Sequence, residues 1–143
     1  MGPDQEGDEM DSFIATWTPR LLSVLRIMTG LLFMEHGTSK LLHFPPPGAE
    51  MPAELPPLIM VAGILELVGG ALVAAGLFTR IVAFVLSGEM AAAYFMAHAP
   101  QSFFPLVNHG EGAILYCFVF LYLAFAGGGE WSLDRMLRPN AKI

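Results

Sequence analysis

Four acidic residues lie within or at the edge of long apolar stretches of this chain: Glu35, Glu66, Glu89 and Glu111. A charged side chain at the centre of a bilayer costs about 2.5–3.5 kcal/mol even on the scale derived from insertion experiments. Residues this expensive usually bind a ligand, carry protons or form ion pairs inside a helix bundle. Glu66 is the strongest candidate, because it shares a glycine-rich helix face near mid-membrane. Glu89 also lies near mid-membrane, without an assigned role.

Basic side chains on the first apolar stretch offer partners for these acids. Arg26, His36 and Lys40 fall on one helix face at about 100° per residue, whereas Glu35 points to the opposite side. Gly30 and Gly37 share the face of the basic residues, which is therefore expected to pack closely against another helix. Arg26 is the strong base at a depth comparable to Glu66, so an ion pair between these two residues is predicted. Lys40 either joins this polar face or extends to the outer surface.

All the histidines are expected in the outer half of the protein: His36, His43, His98 and His109. Such a cluster suits proton relay, binding of a polar headgroup or metal ligation. Interfacial placement without any ligand is the simpler alternative, and no metal site is predicted. Asn108 and Glu111 have two interpretations, since their spacing suits either a helix-capping box or a site at the outer mouth of the bundle.

Composition assigns the chain to the membrane class. Its 143 residues are 55% apolar and 14% charged, with a mean hydropathy of +0.57. Such a composition is too apolar for an ordinary soluble domain. Cys117 is the single cysteine, so neither a disulfide framework nor a CxxC pair exists. The net charge of −6 arises mostly from an acidic N-terminal segment, and we expect no nucleic-acid partner.

The spacing of prolines and glycines predicts an all-α, polytopic membrane protein with a bundle of four transmembrane helices. Helices of about 20 residues are long enough to cross a bilayer, and prolines and glycines mark their ends. Residues 1–18 are predicted to be a disordered acidic tail, and residues 131–143 a C-terminal tail. The predicted spans of the transmembrane domain, residues 19–130, are about 19–42, 57–76, 80–98 and 109–126.

Basic residues predict the orientation of these spans. Arg20, Arg80 and Arg135 are expected on one side of the membrane, whereas Lys40 is expected on the other. The positive-inside rule therefore places both termini in the cytoplasm of a bacterium and assigns the chain to the inner membrane.

The order and spacing of several short motifs resemble the DoxX family of small four-helix bacterial membrane proteins. The similarity covers residues 20–134. It rests on these residues: Arg26, Gly30, Phe33, His36, Gly37, Lys40 and Leu41; Leu65, Glu66, Gly69, Gly70, Gly76, Thr79 and Arg80; Phe103, Phe104, Pro105, Asn108, Gly110 and Glu111; Ser132, Leu133 and Asp134. The resemblance implies a cytoplasmic-membrane protein linked to quinone-coupled and thiol-related oxidoreductase systems, often as a small subunit.

Three functional hypotheses follow. The favoured one is a subunit of a membrane oxidoreductase, in which a polar cavity binds a quinone or a similar lipophilic molecule and a partner or a bound cofactor carries electrons. Haem remains an alternative cofactor. The second hypothesis is a non-catalytic scaffold or assembly factor, with a protein partner or further copies of the chain. The third is a small proton-coupled transporter. The predicted polar core contains Arg26, His36, Lys40, Glu66, Asn108 and Glu111, with Glu89, His98 and His109 as secondary candidates.

Overall fold

A computed structural model describes residues 3–47 and 54–137, with side chains from residue 7 onward, and all regular structure in these ranges is helical. Two helices contain a π-helical turn, so that α2, π1 and α3 form one continuous helix and α4 continues into π2. The elements in chain order are α1 (Pro3–Leu42), α2 (Pro57–Ile64), π1 (Leu65–Gly69), α3 (Gly70–Ala75), α4 (Thr79–Ala93), π2 (Tyr94–His98), α5 (Pro105–Asn108), α6 (Glu111–Ala126) and α7 (Leu133–Leu137).

Two of the helices are long and apolar enough to cross a membrane. They are Pro57–Ala75, with 19 residues, and Thr79–His98, with 20 residues. Helix α6 is equally apolar in character but has only 16 residues. Helix α1 is long enough but carries Arg26, Glu35 and Lys40 in its C-terminal half. Since all regular structure of the described residues is helical, the all-α prediction is confirmed.

Helix α1 begins at Pro3 rather than near Pro19, so the prediction of a disordered tail over residues 1–18 is wrong for the part that the structure describes. Pro3 suits a first helical turn, where its missing amide donor costs nothing. Acidic residues close to a helix N-terminus are stabilised by the helix dipole. Pro19 lies inside the helix without ending it, and its carbonyl accepts a hydrogen bond from the Glu130 amide at 3.1 Å.

The C-terminal segment is also more ordered than a simple tail. Ser132 is buried, and α7 follows it. The Asp134 carboxylate accepts hydrogen bonds from the amides of Phe78 and Thr79, both at 2.8 Å, and so caps the N-terminus of α4. The last part of the predicted tail, residues 138–143, lies outside the described ranges.

The helices pack in two pairs that share a small apolar core. Helix α1 packs along α2, π1 and α3, whereas α4 packs along α6, and contacts of α3 and π1 with α4 join the pairs. Phe33 of α1 reaches the second pair, with its ring centroid 4.8 Å from Phe120 and 5.2 Å from Tyr116. Most other large apolar side chains are exposed on the outside, as expected for helices that face lipid. The buried apolar core consists of Phe33, Val73, Ala83, Leu86, Met90, Phe120 and Leu123.

Glycines allow α1 to approach the helix Pro57–Ala75 closely, as the small-residue face of α1 predicts. A Cβ atom on Gly30 would lie 2.6 Å from the Ala74 nitrogen, and one on Gly37 would lie 2.5 Å from the Leu67 nitrogen. Both obstacles are backbone atoms, which cannot move aside as a flexible side chain can. The two helices therefore pack at a distance that only glycine permits.

We expect Gly30→Leu to separate α1 from α3 and to lower the free energy of unfolding by about 1–3 kcal/mol, as overpacking does elsewhere. The measurement is thermal unfolding of the detergent-solubilised protein, followed by circular dichroism. Gly88→Leu is the matched control, because a Cβ atom on Gly88 meets nothing within 4 Å. The close-packing interpretation fails if both variants melt at the same temperature.

Candidate functional site

Arg26 lies fully buried at one end of the bundle and binds backbone carbonyls. Its Nη1 donates to the carbonyls of Val73 and Ala74 at 2.5 and 2.6 Å, at the end of α3. Its Nε donates to Gly128 at 2.8 Å, and its Nη2 donates to Trp131 at 2.6 Å. The guanidinium group thus ties α1 to α3 and to the turn that follows α6.

The predicted ion pair between Arg26 and Glu66 is therefore wrong. The last carbonyls of a helix have no partner within the helix, and a guanidinium group with five donors can satisfy several of them together. Arg26 is best described as a structural residue. Its neighbour Ser23 supports the same turn, because its hydroxyl accepts a hydrogen bond from the Trp131 amide at 3.0 Å.

Glu66 pairs instead with Lys40. The Lys40 ammonium donates to Glu66 Oε1, which joins the C-terminal part of α1 to π1. The Glu66 residue is only 3% exposed, whereas the Lys40 side chain is 27% exposed. Lys40 therefore pairs with a buried carboxylate rather than only extending to the surface.

Three carboxylate oxygens near this ion pair accept no hydrogen bond from the described residues. They are Oε2 of Glu66 and both oxygens of Glu89, and each of these atoms is buried. The charges of Glu66 and Lys40 both act on the Glu89 carboxyl group, so the three side chains form one electrostatic unit. We call Lys40, Glu66 and Glu89 the carboxylate site. Buried polar atoms almost always have a partner, so this concentration of free acceptors distinguishes the site from the rest of the protein.

The backbone is unusual at the same place. Glu66 belongs to π1, where the backbone hydrogen bonds between α2 and α3 join residues five apart instead of four. Single π-helical turns are rare and occur frequently at functional sites. The second turn of this kind, π2, ends at His98. Helical periodicity at 3.6 residues per turn does not reveal such a turn, so the sequence analysis did not predict it.

Asn108 and His98 organise the outer loop between π2 and α6. Asn108 is 1% exposed, and its amide donates to the Ser102 carbonyl at 2.8 Å while its Oδ1 accepts from the Gly110 amide at 2.8 Å. His98 Nδ1 lies 2.9 Å from the Asn108 carbonyl oxygen. These hydrogen bonds account for both side chains as parts of the loop rather than of the carboxylate site.

The remaining predicted site residues lie apart from the carboxylate site and are exposed. Glu111 is exposed and makes no capping bond at the start of α6, so the capping-box interpretation is wrong. His109 is exposed at the end of α5. His36 is exposed too, with its ring 5.8 Å from that of Tyr116. Within the described ranges, no group of three or more His, Cys, Asp or Glu side chains is arranged to hold a metal.

A shallow apolar groove lies between α1 and α6, beside the His36–Tyr116 contact. Its volume is about 250 Å³. The sequence carries no signal for this groove, because the groove depends on how α1 and α6 are rotated against each other. The groove is lined by Thr29, Leu32, Gly112, Leu115, Tyr116 and Val119.

Comparison with known proteins shows the family. The sequence pattern of the DoxX family matches residues 21–99, which is more than half of the chain. The chain belongs to the DoxX family. An uncharacterised protein of Haemophilus influenzae is 45% identical over 122 residues, covering 82% of this chain and 91% of its own. An uncharacterised membrane protein of Mycobacterium tuberculosis is 26% identical over 138 residues, covering 86% of this chain and 85% of its own. No solved structure matches the chain.

The DoxX match contains the charged residues of both polar arrangements. Arg26 and the whole carboxylate site lie within residues 21–99, whereas Asn108 and Glu111 lie beyond them. The protein is therefore a DoxX-family membrane protein with a structural arginine at one end of its bundle and a carboxylate site towards the other.

Proposed function

We propose that this DoxX-family protein is a small subunit of a membrane-bound oxidoreductase system and that it binds the headgroup of a quinone or a similar lipophilic molecule at the carboxylate site. The observation that carries the proposal is the set of three buried carboxylate oxygens of Glu66 and Glu89 that accept no hydrogen bond from the described residues. Free acceptors beside a partly buried ammonium group suit a ligand that carries both hydroxyl and carbonyl oxygens.

The donor and acceptor chemistry of the site fits both redox forms of a quinone. The hydroxyl groups of a reduced quinone donate hydrogen bonds, and Glu66 and Glu89 supply the acceptors. The carbonyl oxygens of an oxidised quinone only accept, and the Lys40 ammonium supplies a donor. Carboxyl groups near such a headgroup are also suited to taking up and releasing the protons that accompany quinone reduction. The apolar groove beside His36 offers additional room for part of a lipophilic tail.

The subunit role follows from what the chain offers for redox chemistry. Its one cysteine, Cys117, cannot form a disulfide within the chain. We therefore propose that electrons reach the bound quinone through a partner subunit, which gives this protein the tasks of binding the ligand and managing protons.

We further propose that the chain forms a four-helix transmembrane bundle in the bacterial inner membrane, with both termini in the cytoplasm. This arrangement is supported by three arginines at one end of the bundle. Arg20 pairs with Glu130, Arg80 donates to the Phe125 carbonyl, and Arg135 lies in α7 close by. Lys40 lies towards the opposite end, so the basic residues are distributed as the positive-inside rule requires.

The experiment is a titration of the purified, detergent-solubilised protein with decylubiquinone and with its reduced form, followed by quenching of Trp and Tyr fluorescence. We expect saturable binding by the wild-type protein. Glu89→Gln should weaken binding of the reduced form by about tenfold, which corresponds to about 1.4 kcal/mol. This substitution removes a charged acceptor but breaks no hydrogen bond of the described fold, because the Glu89 carboxylate makes none.

Glu35→Gln is the matched control, because Glu35 is an exposed carboxylate on α1 outside the carboxylate site. It should bind both quinone forms as the wild type does. An absence of saturable binding by the wild type would reject the proposal, and so would equal affinities for the wild type and Glu89→Gln. If binding is absent but Glu66→Gln lowers the yield of a co-purifying partner, the scaffold hypothesis replaces the quinone hypothesis.

A further inference from the structure

Helix α1 is about twice as long as a membrane helix needs to be. Its 40 residues span about 60 Å at 1.5 Å per residue, whereas the hydrocarbon core of a bilayer is about 30 Å thick. Contacts with the turn after α6 begin near Pro19, whose carbonyl accepts from the Glu130 amide. We call residues 7–18 the N-terminal extension. Every residue of this segment is exposed, so the helix projects beyond the bundle by several turns.

The N-terminal extension carries a stripe of large apolar side chains that are exposed. Met10, Phe13, Ile14 and Trp17 are 63%, 62%, 53% and 41% exposed. Their spacing of i, i+3, i+4 and i+7 places them on one face of the helix, which is the anchor pattern of helices that dock into grooves. The rings of Phe13 and Trp17 already lie against each other, with centroids 6.0 Å apart. A contiguous exposed patch of this kind marks an interaction site.

The charges of this segment determine which partner it fits. The first 18 residues contain five acidic residues and no basic residue. At about 100° per residue, Glu9 and Asp11 lie on either side of the stripe, and Asp8 lies on the opposite face of the helix. The apolar stripe is therefore flanked by negative charge. A complementary surface is an apolar groove with a positively charged rim.

We propose that the N-terminal extension docks, through Met10, Phe13, Ile14 and Trp17, into an apolar groove of a protein partner whose rim carries lysine and arginine side chains. A second copy of this chain is disfavoured, since two acidic helices would repel each other where their stripes meet. A membrane surface is disfavoured as well, because anionic lipids repel the acidic residues. The extension also continues into the rest of α1 as one helix, without a break that would let it lie along a membrane surface. The inference is independent of the ligand proposed for the carboxylate site.

The test uses the full-length protein in membranes of its source bacterium, with the photo-crosslinking amino acid benzoylphenylalanine at position 13 or at position 16. Thr16 is equally exposed but lies off the stripe, and its hydroxyl donates to the Ser12 carbonyl within the helix. We expect one protein adduct from position 13 and little from position 16. The crosslinked peptide of that protein should be flanked by lysine and arginine residues.

The identified protein is then purified and titrated against the full-length chain in detergent at roughly 50 and 500 mM NaCl. We expect the affinity to fall at the higher salt concentration and to fall by at least about tenfold in the variant Phe13→Ala/Trp17→Ala, since aromatic anchors dominate such interfaces. The variant should melt close to the wild-type temperature, because Phe13 and Trp17 are 62% and 41% exposed and Trp17 contacts only the Arg20 guanidinium among the described charged groups. A lipid adduct, an adduct with a second copy, equal or absent crosslinking at both positions, or binding that ignores salt would each overturn the proposal.

Discussion

Arg26→Met is expected to lower the free energy of unfolding by more than about 4 kcal/mol, because hydrogen bonds to charged groups each contribute about 1.5–3 kcal/mol. The substitution removes four donors at once and leaves the carbonyls of Val73, Ala74, Gly128 and Trp131 without them. Carbonyls in a water-poor environment cannot find replacement partners. The measurement is unfolding of the micelle-bound protein by titration with sodium dodecyl sulfate, followed by circular dichroism.

Two further substitutions separate geometry from charge at Arg26. Arg26→Lys keeps the positive charge but offers a compact ammonium group that cannot reach four carbonyls in two segments, so most of the loss should remain. Arg20→Met is the matched control, because Arg20 is partly exposed and its guanidinium interacts only with side chains, the Glu130 carboxylate and the Trp17 ring. It should cost no more than about 1 kcal/mol. The structural role assigned to Arg26 is wrong if Arg26→Lys is as stable as the wild type.

Features that depend on one helix alone are easier to predict from the sequence than features that depend on how two helices pack. The ends of most membrane helices follow from prolines and glycines in the sequence, and the tight contact of Gly30 and Gly37 follows from the small-residue face of α1. These features are local, because periodicity along one helix determines them. The extent of the N-terminal helix was missed, since a high density of acidic residues resembles a disordered segment as closely as it resembles a polar helix.

The pairing of charged residues depends on how helices are placed against one another. A single sequence gives the helix face and approximate depth of Arg26, Lys40 and Glu66. It does not give the register between α1 and the helix Pro57–Ala75. The sequence predicts an ion pair between Arg26 and Glu66, because Arg26 is a strong base at a depth comparable to that of Glu66. The partners of Arg26 are instead backbone carbonyls at a helix end and in a turn, and backbone carbonyls cannot be recognised from residue types. The π-helical turn around Glu66 was equally invisible to a periodicity of 3.6 residues.

The two polar arrangements in the bundle have different physical characters. At the Arg26 end, each nitrogen of the guanidinium group has a carbonyl partner, so the arrangement is complete without any further molecule. At the carboxylate site, acceptors outnumber the donors, since the Lys40 ammonium donates to one oxygen of Glu66 and the other three carboxylate oxygens accept nothing from the described residues. A complete network stabilises a fold, whereas an incomplete one retains capacity for a ligand or for protons. This contrast is the reason for assigning structure to Arg26 and ligand binding to Lys40, Glu66 and Glu89.

Lys40→Met is expected to cost about 3–5 kcal/mol of unfolding free energy, the usual effect of removing one partner from a buried ion pair. The substitution leaves Glu66, which is 3% exposed, without its ammonium donor. The double variant Lys40→Met/Glu66→Gln should regain a large part of this loss, because it removes the uncompensated charge as well. Titration with sodium dodecyl sulfate in micelles gives the unfolding free energy of the wild type, both single variants and the double variant.

This double-mutant cycle tests the pair itself rather than either side chain. A loss in Lys40→Met that exceeds the loss in the double variant indicates that the destabilisation comes from an isolated Glu66 carboxylate. Additive losses would contradict the ion pair and would remove Lys40 from the carboxylate site. The double variant also separates stability from ligand binding: it should fold, yet fail to bind the reduced quinone, because one charged acceptor and the ammonium group are missing. In the proposed function, folding and ligand binding therefore depend on the same three side chains in different proportions: Lys40 and Glu66 contribute to both, and Glu89 contributes to ligand binding.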